Sequence, residues 1–97
     1  MNIHEVKKQL ESSVAPVVKV IHKTESNRII ALGLRKGIVL KEHKASVPAR
    51  LIVLEGSLQY KQEGEIIELH QHDEHEIPVG ILHSVEGLED SIAILIH

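Results

Sequence analysis

The segment H-D-E-H-E-I-P-V-G-I-L-H, which ends at His83, constrains the fold more than any other part of the sequence. Pro78 fixes its own φ near about −65° and Gly80 can adopt a positive φ, so the chain can turn sharply between them. Side chains alternate between the two faces of a strand, which places His83 on the same face as Ile81 and Val85. We therefore predict a strand–turn–strand unit whose second strand carries a histidine into an apolar interior.

Short runs of branched aliphatic residues recur through the rest of the chain, in which Tyr60 is the single aromatic residue among 97. Branched side chains favour pleated sheet, and regularly spaced short strands separated by turn residues are typical of an antiparallel sandwich or barrel. We predict one domain in which residues 17–97 form a β-barrel. The predicted strands are, in chain order, Val17–Lys23, Arg28–Leu34, Gly37–Glu42, Leu51–Leu54, Leu58–Lys61, Glu65–Leu69, Glu74–Ile77, Ile81–Val85 and Ser91–Ile96.

The N-terminal segment is the part of the chain with helical periodicity. Ile3, Val6 and Leu10 recur on one face of a short helix, and Asn2 can cap its first turn. A proline that follows a few residues later prevents the helix from continuing. We predict a helix over residues 1–13 that packs across a sheet or against a partner subunit.

Charge and composition argue against several classes of protein. Eleven basic and fourteen acidic side chains give a net charge of −3, with no basic stripe or stacking aromatics of the kind that bind nucleic acid. No apolar run approaches the ~20 residues of a membrane helix, and the N-terminus lacks the order of a signal peptide. The absence of cysteine excludes disulfides and thiolate chemistry. We expect a cytoplasmic protein that binds neither nucleic acid nor membrane.

Two groups of residues, in order and spacing, resemble the two sequence motifs of the cupin superfamily. They are, in chain order, Gly37, His43 and Gly56, followed by Pro78, Gly80 and His83. The resemblance covers about Gly33 to Ile96 and is greatest to small single-domain, RmlC-like cupins whose second motif continues as His-Ser-Val-Glu. It implies an all-β fold, the cupin-type double-stranded β-helix or jelly-roll barrel, with the short N-terminal helix outside it.

Two of the four metal-ligand positions in the cupin pattern lack a ligand here. The second histidine of the His-x-His pair is Ala45, and the glutamate position falls on Ala49 or Arg50, depending on how the gap is counted. Catalytic zinc generally uses three protein ligands, and many non-haem iron sites use two histidines and a carboxylate. His43 and His83 alone are one ligand short of that minimum. No cofactor is certain, although the resemblance implies a divalent metal such as zinc, nickel, iron or manganese.

Three further histidines, His70, His72 and His75, lie among acidic residues before the Pro-x-Gly turn and allow three interpretations. The first is a solvated turn that is rich in charged residues. In the second, His75 or a neighbouring carboxylate completes a non-standard metal site with His43 and His83. In the third, the three histidines form an adventitious or interfacial metal site. His75 is the candidate third ligand because its strand parity places it on the apolar face.

A pocket that contains both motif histidines has chemical uses without a metal. Two neutral imidazoles in apolar surroundings can orient a small polar ligand or act as a general base. Arg50 offers a carboxylate-binding fork if it faces this pocket, and otherwise is an exposed charge at a strand edge. The predicted pocket residues are His43, Arg50, Ile81, His83 and Val85, with Val39 in the deep wall.

The favoured function is that of a binding module that holds a small molecule or a weakly held divalent metal through His43 and His83. The alternative is a metal-dependent enzyme, of the isomerase or dioxygenase type found among other cupins, with a non-standard third ligand. A structural or regulatory role in binding a partner is the third possibility. Edge strands of small barrels must be protected, so we also predict a homodimer in which Val17–Ile21 is swapped or pairs at the sheet edge.

Overall fold

In the computed structural model, which describes residues 3–97, the chain forms one short helix and nine strands. The predicted Asn2 cap lies outside these residues. Helix α1 is followed by strands only, as the change from helical periodicity to aliphatic runs predicts. The elements are α1 Ile3–Leu10, β1 Val17–Lys23, β2 Arg28–Leu34, β3 Val39–His43, β4 Ala49–Glu55, β5 Ser57–Gln62, β6 Glu65–His70, β7 Glu74–Ile77, β8 His83–Gly87 and β9 Ser91–Ile96.

The strands form two sheets that pack face to face. The larger sheet has the order β1-β2-β9-β4-β7 and the smaller one the order β3-β8-β5-β6, and all neighbouring strands are antiparallel. Apart from the hairpins β1-β2 and β5-β6, neighbours in these orders are not consecutive in sequence. This is expected for a jelly roll, in which the chain passes repeatedly from one sheet to the other. This arrangement confirms the predicted all-β cupin-type barrel with a short helix at its N-terminus.

Two apolar layers hold the barrel together. The main layer lies between the sheets, where aliphatic residues surround the fully buried Tyr60. The second layer lies outside the larger sheet, where Val6 and Leu10 of α1 pack on Val17 and Ile92. Burying an aliphatic side chain of this size contributes about 1.5–3 kcal/mol, so the helix is an integral part of the fold. The predicted packing of the helix across a sheet is confirmed, whereas its predicted end at residue 13 is wrong, because the helix ends at Leu10.

Two strands, β3 and β8, begin two residues later in the structure than the sequence predicts. β3 begins at Val39 because Gly37, with φ of 83°, still belongs to the preceding turn. β8 begins at His83, where the first cross-strand pair with His43 forms, so the Ile81 position precedes the strand. The predicted bounds of β1, β2, β7 and β9 agree with the structure to the residue.

An irregularity in the pairing of β3 with β8 changes which side chains face the interior. The register shifts between Leu40 and His43, as in a β-bulge, so simple alternation along β3 does not hold. Leu40 pairs with Val85 and packs on the core, whereas Val39 is 42% exposed. The prediction that Val39 lines the deep wall is therefore wrong.

Strand β1 is the outermost strand of the larger sheet and has no strand on its other side within residues 3–97. Val18 and Val20 on this strand are 49% and 46% exposed. Both features are those expected of an edge that pairs with another chain, and the homodimer stays a prediction. Among the described residues, no helix has the length and apolar character needed to cross a membrane.

Candidate ligand-binding site

His43 and His83 form a cross-strand pair between β3 and β8. Their ring centroids are 4.3 Å apart and the ring planes are inclined at 58°. His83 is buried, with only 3% of its surface exposed, whereas His43 is exposed. The predicted convergence of the two motif histidines is therefore observed, with one ring inside the barrel and the other nearer solvent.

The Pro-x-Gly turn joins the two motif segments at this end of the barrel. Gly80 has φ of 75°, the left-handed conformation that the sequence predicts for it. Its backbone N–H donates a hydrogen bond of 3.0 Å to the carbonyl of Ala45, and Val79 forms an isolated bridge with Ala45. The turn therefore fixes the segment that follows His43 beside the segment that precedes His83.

Both histidines are held in the same tautomer by the backbone. The Nδ1 of His43 lies 2.9 Å from the carbonyl oxygen of Lys41, and the Nδ1 of His83 lies 3.1 Å from that of Ile81. Because a carbonyl oxygen can only accept, each Nδ1 must carry the hydrogen and donate. In a neutral ring this leaves a lone pair on Nε2, so each imidazole offers one hydrogen-bond acceptor or metal-binding atom.

The surroundings of His83 favour its neutral form. Burial lowers the pKa of His83 below its ordinary value of 6.5, because desolvation disfavours the imidazolium. The hydrogen bond to the carbonyl of Ile81 raises the pKa, and the charge of a protonated His43 lowers it further. The net shift is downward, so His83 is a neutral acceptor at pH 7.

The two rings border a cavity of about 190 Å³, the volume of several water molecules at about 30 Å³ each. One part of its wall is aliphatic and the other carries polar groups at the rim. Ala49 and Ile77 are buried on neighbouring strands, so this wall is part of the core. The lining residues are His43, Lys44, Ala45, Ser46, Val47, Ala49, Ile77, His83, Leu95 and His97.

Tyr60 is a neighbour of this site that the sequence analysis did not assign to it. Its ring stacks on that of His83 with centroids 5.7 Å apart and contacts the ring of His75 at 4.4 Å. Its hydroxyl donates a 2.7 Å hydrogen bond to Gln62, and burial raises its pKa above 10.0. The sequence did contain a signal for this position. Tyr60 is the single aromatic residue of the chain and lies two residues after Leu58, which places both side chains on the same, buried face of the strand.

His75 does face the interior, as its strand parity predicts, but it is not placed with the other two histidines. Tyr60 contacts both His75 and His83, and the buried Nε2 of His75 has no hydrogen-bond partner. Within residues 3–97, no three or more histidine or carboxylate side chains are grouped so that they could hold one metal ion. The residues present therefore fit neither the four ligand positions of the cupin pattern nor the three-ligand minimum of catalytic zinc and non-haem iron sites.

The turn that carries His70 and His72 is solvated, in agreement with the first of the three interpretations given above. Both residues are exposed, and the Nε2 of His70 lies 3.4 Å from a carboxylate oxygen of Glu68. The Asp73 carboxylate accepts the backbone N–H of His70 and thereby closes the turn. These contacts give His70 and Asp73 a role in closing the turn that needs no metal.

The remaining predicted pocket residues differ in their positions. Arg50 is exposed and its Nη1 lies 2.7 Å from a carboxylate oxygen of Glu74, so its assignment to the pocket is wrong. Its neighbours Ala49 and Leu51 are buried, and alternation therefore turns Arg50 outward. Ile81 contributes its backbone carbonyl, and Val85 lies in the core rather than on the cavity wall.

Comparisons with known proteins show the fold and no more. No family model and no curated protein matches the sequence. Among solved structures, a cupin-2 domain protein from Shewanella frigidimarina has a TM-score of 0.78 at 19% identity, covering 100% of this chain and 92% of that one. A cupin superfamily protein from Desulfitobacterium hafniense has a TM-score of 0.79 at 15% identity, covering 84% and 74%.

A third similar structure is KdgF from a Halomonas species, with a TM-score of 0.77 at 22% identity and coverage of 88% of this chain and 81% of that one. All three identities are too low to transfer an activity, because one fold supports many unrelated functions. The chain therefore has the cupin fold.

Proposed function

We propose that this protein is a binding module of the cupin fold that holds a small organic molecule in the cavity beside His43 and His83. The observation that carries the proposal is the pair of Nε2 lone pairs that the backbone leaves available on these two rings. One ring is buried and neutral, and the cavity beside it has an aliphatic wall. Such a site combines an apolar surface with a few polar groups that fix orientation, as small-molecule sites generally do.

The tautomer of the two rings restricts the chemistry of the ligand. An imidazole that accepts through Nε2 needs a hydrogen-bond donor opposite it, such as a hydroxyl, an amine or an amide N–H. A carboxylate in contact with His83 would require that ring to be protonated, which its burial opposes. We therefore expect the part of the ligand that contacts His43 and His83 to be neutral or cationic and to carry O–H or N–H groups.

A weakly held divalent metal is the other occupant that two Nε2 atoms allow. His43 and His83 would supply two ligands. His97 lines the same cavity, but within residues 3–97 no three histidine or carboxylate side chains form a group that could hold one metal ion. The metal-dependent isomerase or dioxygenase alternative needs that third ligand. The donor set therefore supports the small-molecule proposal more directly than the enzyme alternative.

Two measurements on untagged protein and the variants His83→Ala and His70→Ala test the proposal. Elemental analysis measures the metal content. NMR titration with small alcohols, diols and amines follows the ring signals of His83 and His43, and the His43 signals remain available in His83→Ala. We expect saturable shifts with at least one of these compounds, absence of binding in His83→Ala, and unchanged binding in His70→Ala. Near-stoichiometric metal that disappears in His83→Ala would overturn the proposal in favour of the metal-dependent alternative. Absence of binding by every compound would also overturn it.

A further inference from the structure

The histidine cavity adjoins a second depression at the turn between β1 and β2. This turn groove has a volume of about 330 Å³. It shares Ser46, Val47 and His97 with the wall of the histidine cavity. A molecule longer than the histidine cavity would therefore continue into the turn groove. The residues that line the groove are Lys23, Thr24, Glu25, Ser26, Asn27, Arg28, Ser46, Val47 and His97.

The two depressions together carry an excess of positive charge. Lys44 lines the histidine cavity, and Lys23 and Arg28 line the turn groove. Among the residues that line the two depressions, one is acidic, Glu25 of the turn groove. The whole chain has a net charge of −3, so this region has the opposite sign to the protein as a whole. A cleft lined mainly by one sign of charge raises the local concentration of ions of the other sign.

Arg28 lines the turn groove and is the arginine among its lining residues. Its backbone N–H and carbonyl both bond to the backbone of His97, at 2.6 and 3.0 Å, which fixes its position at the groove. Its partly buried side chain forms no hydrogen bond or ion pair with the described residues, whereas Arg50 is paired with Glu74. A guanidinium has five N–H donors in a planar fork that matches a carboxylate or a phosphate.

We infer that the ligand is an elongated small anion with different groups at its two ends. Its head carries O–H or N–H donors for the Nε2 atoms of His43 and His83, and its tail carries a carboxylate or phosphate that binds Arg28 and Lys23. A spacer between the two lies along the aliphatic Val47. This inference rests on the proposed function, to which it adds the chemical class of the ligand.

The test uses three matched series of probes that differ in their tail. They are ω-hydroxycarboxylates, ω-hydroxyalkyl phosphates and the corresponding neutral diols, each over several chain lengths. NMR follows the ring signals of His83 and the guanidinium Nε–H of Arg28 in the same titration. The variants are Arg28→Gln and, as a matched control that removes one positive charge elsewhere on the barrel, Arg50→Gln. The amide spectrum of each variant shows that it is folded.

We expect an anionic probe of one chain length to shift both the His83 and the Arg28 signals. This probe should bind about tenfold more tightly than the corresponding diol, because its tail gains a charge-assisted hydrogen bond. Arg28→Gln should remove that preference, whereas Arg50→Gln should retain it. Added salt should weaken the binding of the anionic probe and leave the affinity of the diol unchanged. A preference between the carboxylate and phosphate series identifies the tail.

Two results would contradict the inference and can be told apart. If diols and anions shift His83 with equal affinity and Arg28→Gln changes nothing, the anionic tail is wrong and the small-molecule site stands. If no probe of any series shifts His83, the proposed function and the inference both fail.

Discussion

His43 and His83 face each other across β3 and β8 with ring centroids 4.3 Å apart, and each ring is fixed through Nδ1 by a carbonyl two residues earlier in its own chain segment. This symmetrical arrangement leaves Nε2 as the reactive atom of both rings. The register of the two strands and the turn at Gly80 produce it, so the site is a consequence of the barrel itself.

Replacing His83 by alanine should separate binding from folding. The imidazole is buried but it borders an existing cavity, so we expect a loss of about 1–2 kcal/mol in the free energy of unfolding, within the usual range for point substitutions. Ligand binding should be lost altogether. Chemical denaturation and ligand titration of the same sample measure both effects. A variant that no longer folds would instead make His83 a structural residue.

The free energy of unfolding should depend on pH through His83. Its pKa is lowered in the folded state, so the unfolded chain binds a proton more readily. The stability due to the neutral ring is complete above about pH 6.5, the unfolded pKa, and is lost as the pH falls from there through the folded pKa. The difference between wild type and His83→Gln, measured by denaturation over a pH series, isolates this contribution. A difference that does not change with pH would contradict it.

Gly80 should tolerate asparagine better than valine. The left-handed conformation costs most L-residues about 1–2 kcal/mol, and asparagine adopts it more readily than a β-branched residue does. No atom lies within 4 Å of a Cβ added at Gly80, so the effect should come from the backbone alone. Unfolding of Gly80→Val and Gly80→Asn compares the two. Equal losses would show that the positive φ does not determine the cost.

Tyr60 should act on the site through its ring rather than its hydroxyl. Tyr60→Phe removes the hydrogen bond to Gln62, at a cost of about 1 kcal/mol, and keeps the ring that stacks on His83. Tyr60→Ala leaves a large cavity in the core and should cost about 3–5 kcal/mol. We expect Tyr60→Phe to bind ligand like wild type. Weaker binding by this variant, under conditions in which it is fully folded, would assign the hydroxyl a role in the site.

The β1 edge should mediate the predicted homodimer. A lysine at Val18 would place a charge among the partner's strand residues, so Val18→Lys should be monomeric where wild type is dimeric. Ile66→Lys on β6 of the other sheet is the control, because Ile66 is also exposed, at 62%. Sedimentation at micromolar concentration measures the mass. A monomeric wild type would contradict the prediction.

The fold follows from the sequence more completely than the site does. Turn residues and aliphatic runs predict the strands because both are local properties, and the bounds of β1 and β2 agree to the residue. The shift between Leu40 and His43 arises from pairing with β8, so alternation along one strand misassigned Val39. The outward direction of Arg50 follows from alternation with its apolar neighbours Ala49 and Leu51, whereas its ion pair with Glu74 depends on the pairing of β4 with β7.

Other features of the site depend on contacts between distant segments. Tyr60 reaches His83 only because β5 pairs with β8, and the strand pattern of β5 alone does not show that. The turn groove beside Arg28 depends in the same way on β2 lying next to the last residues of the chain. Sequence motifs predicted that His43 and His83 converge, and tertiary structure added the rest of their surroundings.

The tautomers of His43 and His83 test the central claim most directly, because the proposed site depends on two Nε2 acceptors. Long-range ¹H–¹⁵N correlation spectra of ¹⁵N-labelled protein at pH 7 distinguish the two ring nitrogens by their chemical shifts. We predict that His83 is neutral at this pH, and that the neutral form of each ring carries the hydrogen on Nδ1 and a lone pair on Nε2. A charged His83 ring at pH 7, or a neutral ring of either histidine that carries its hydrogen on Nε2, would contradict the proposed site.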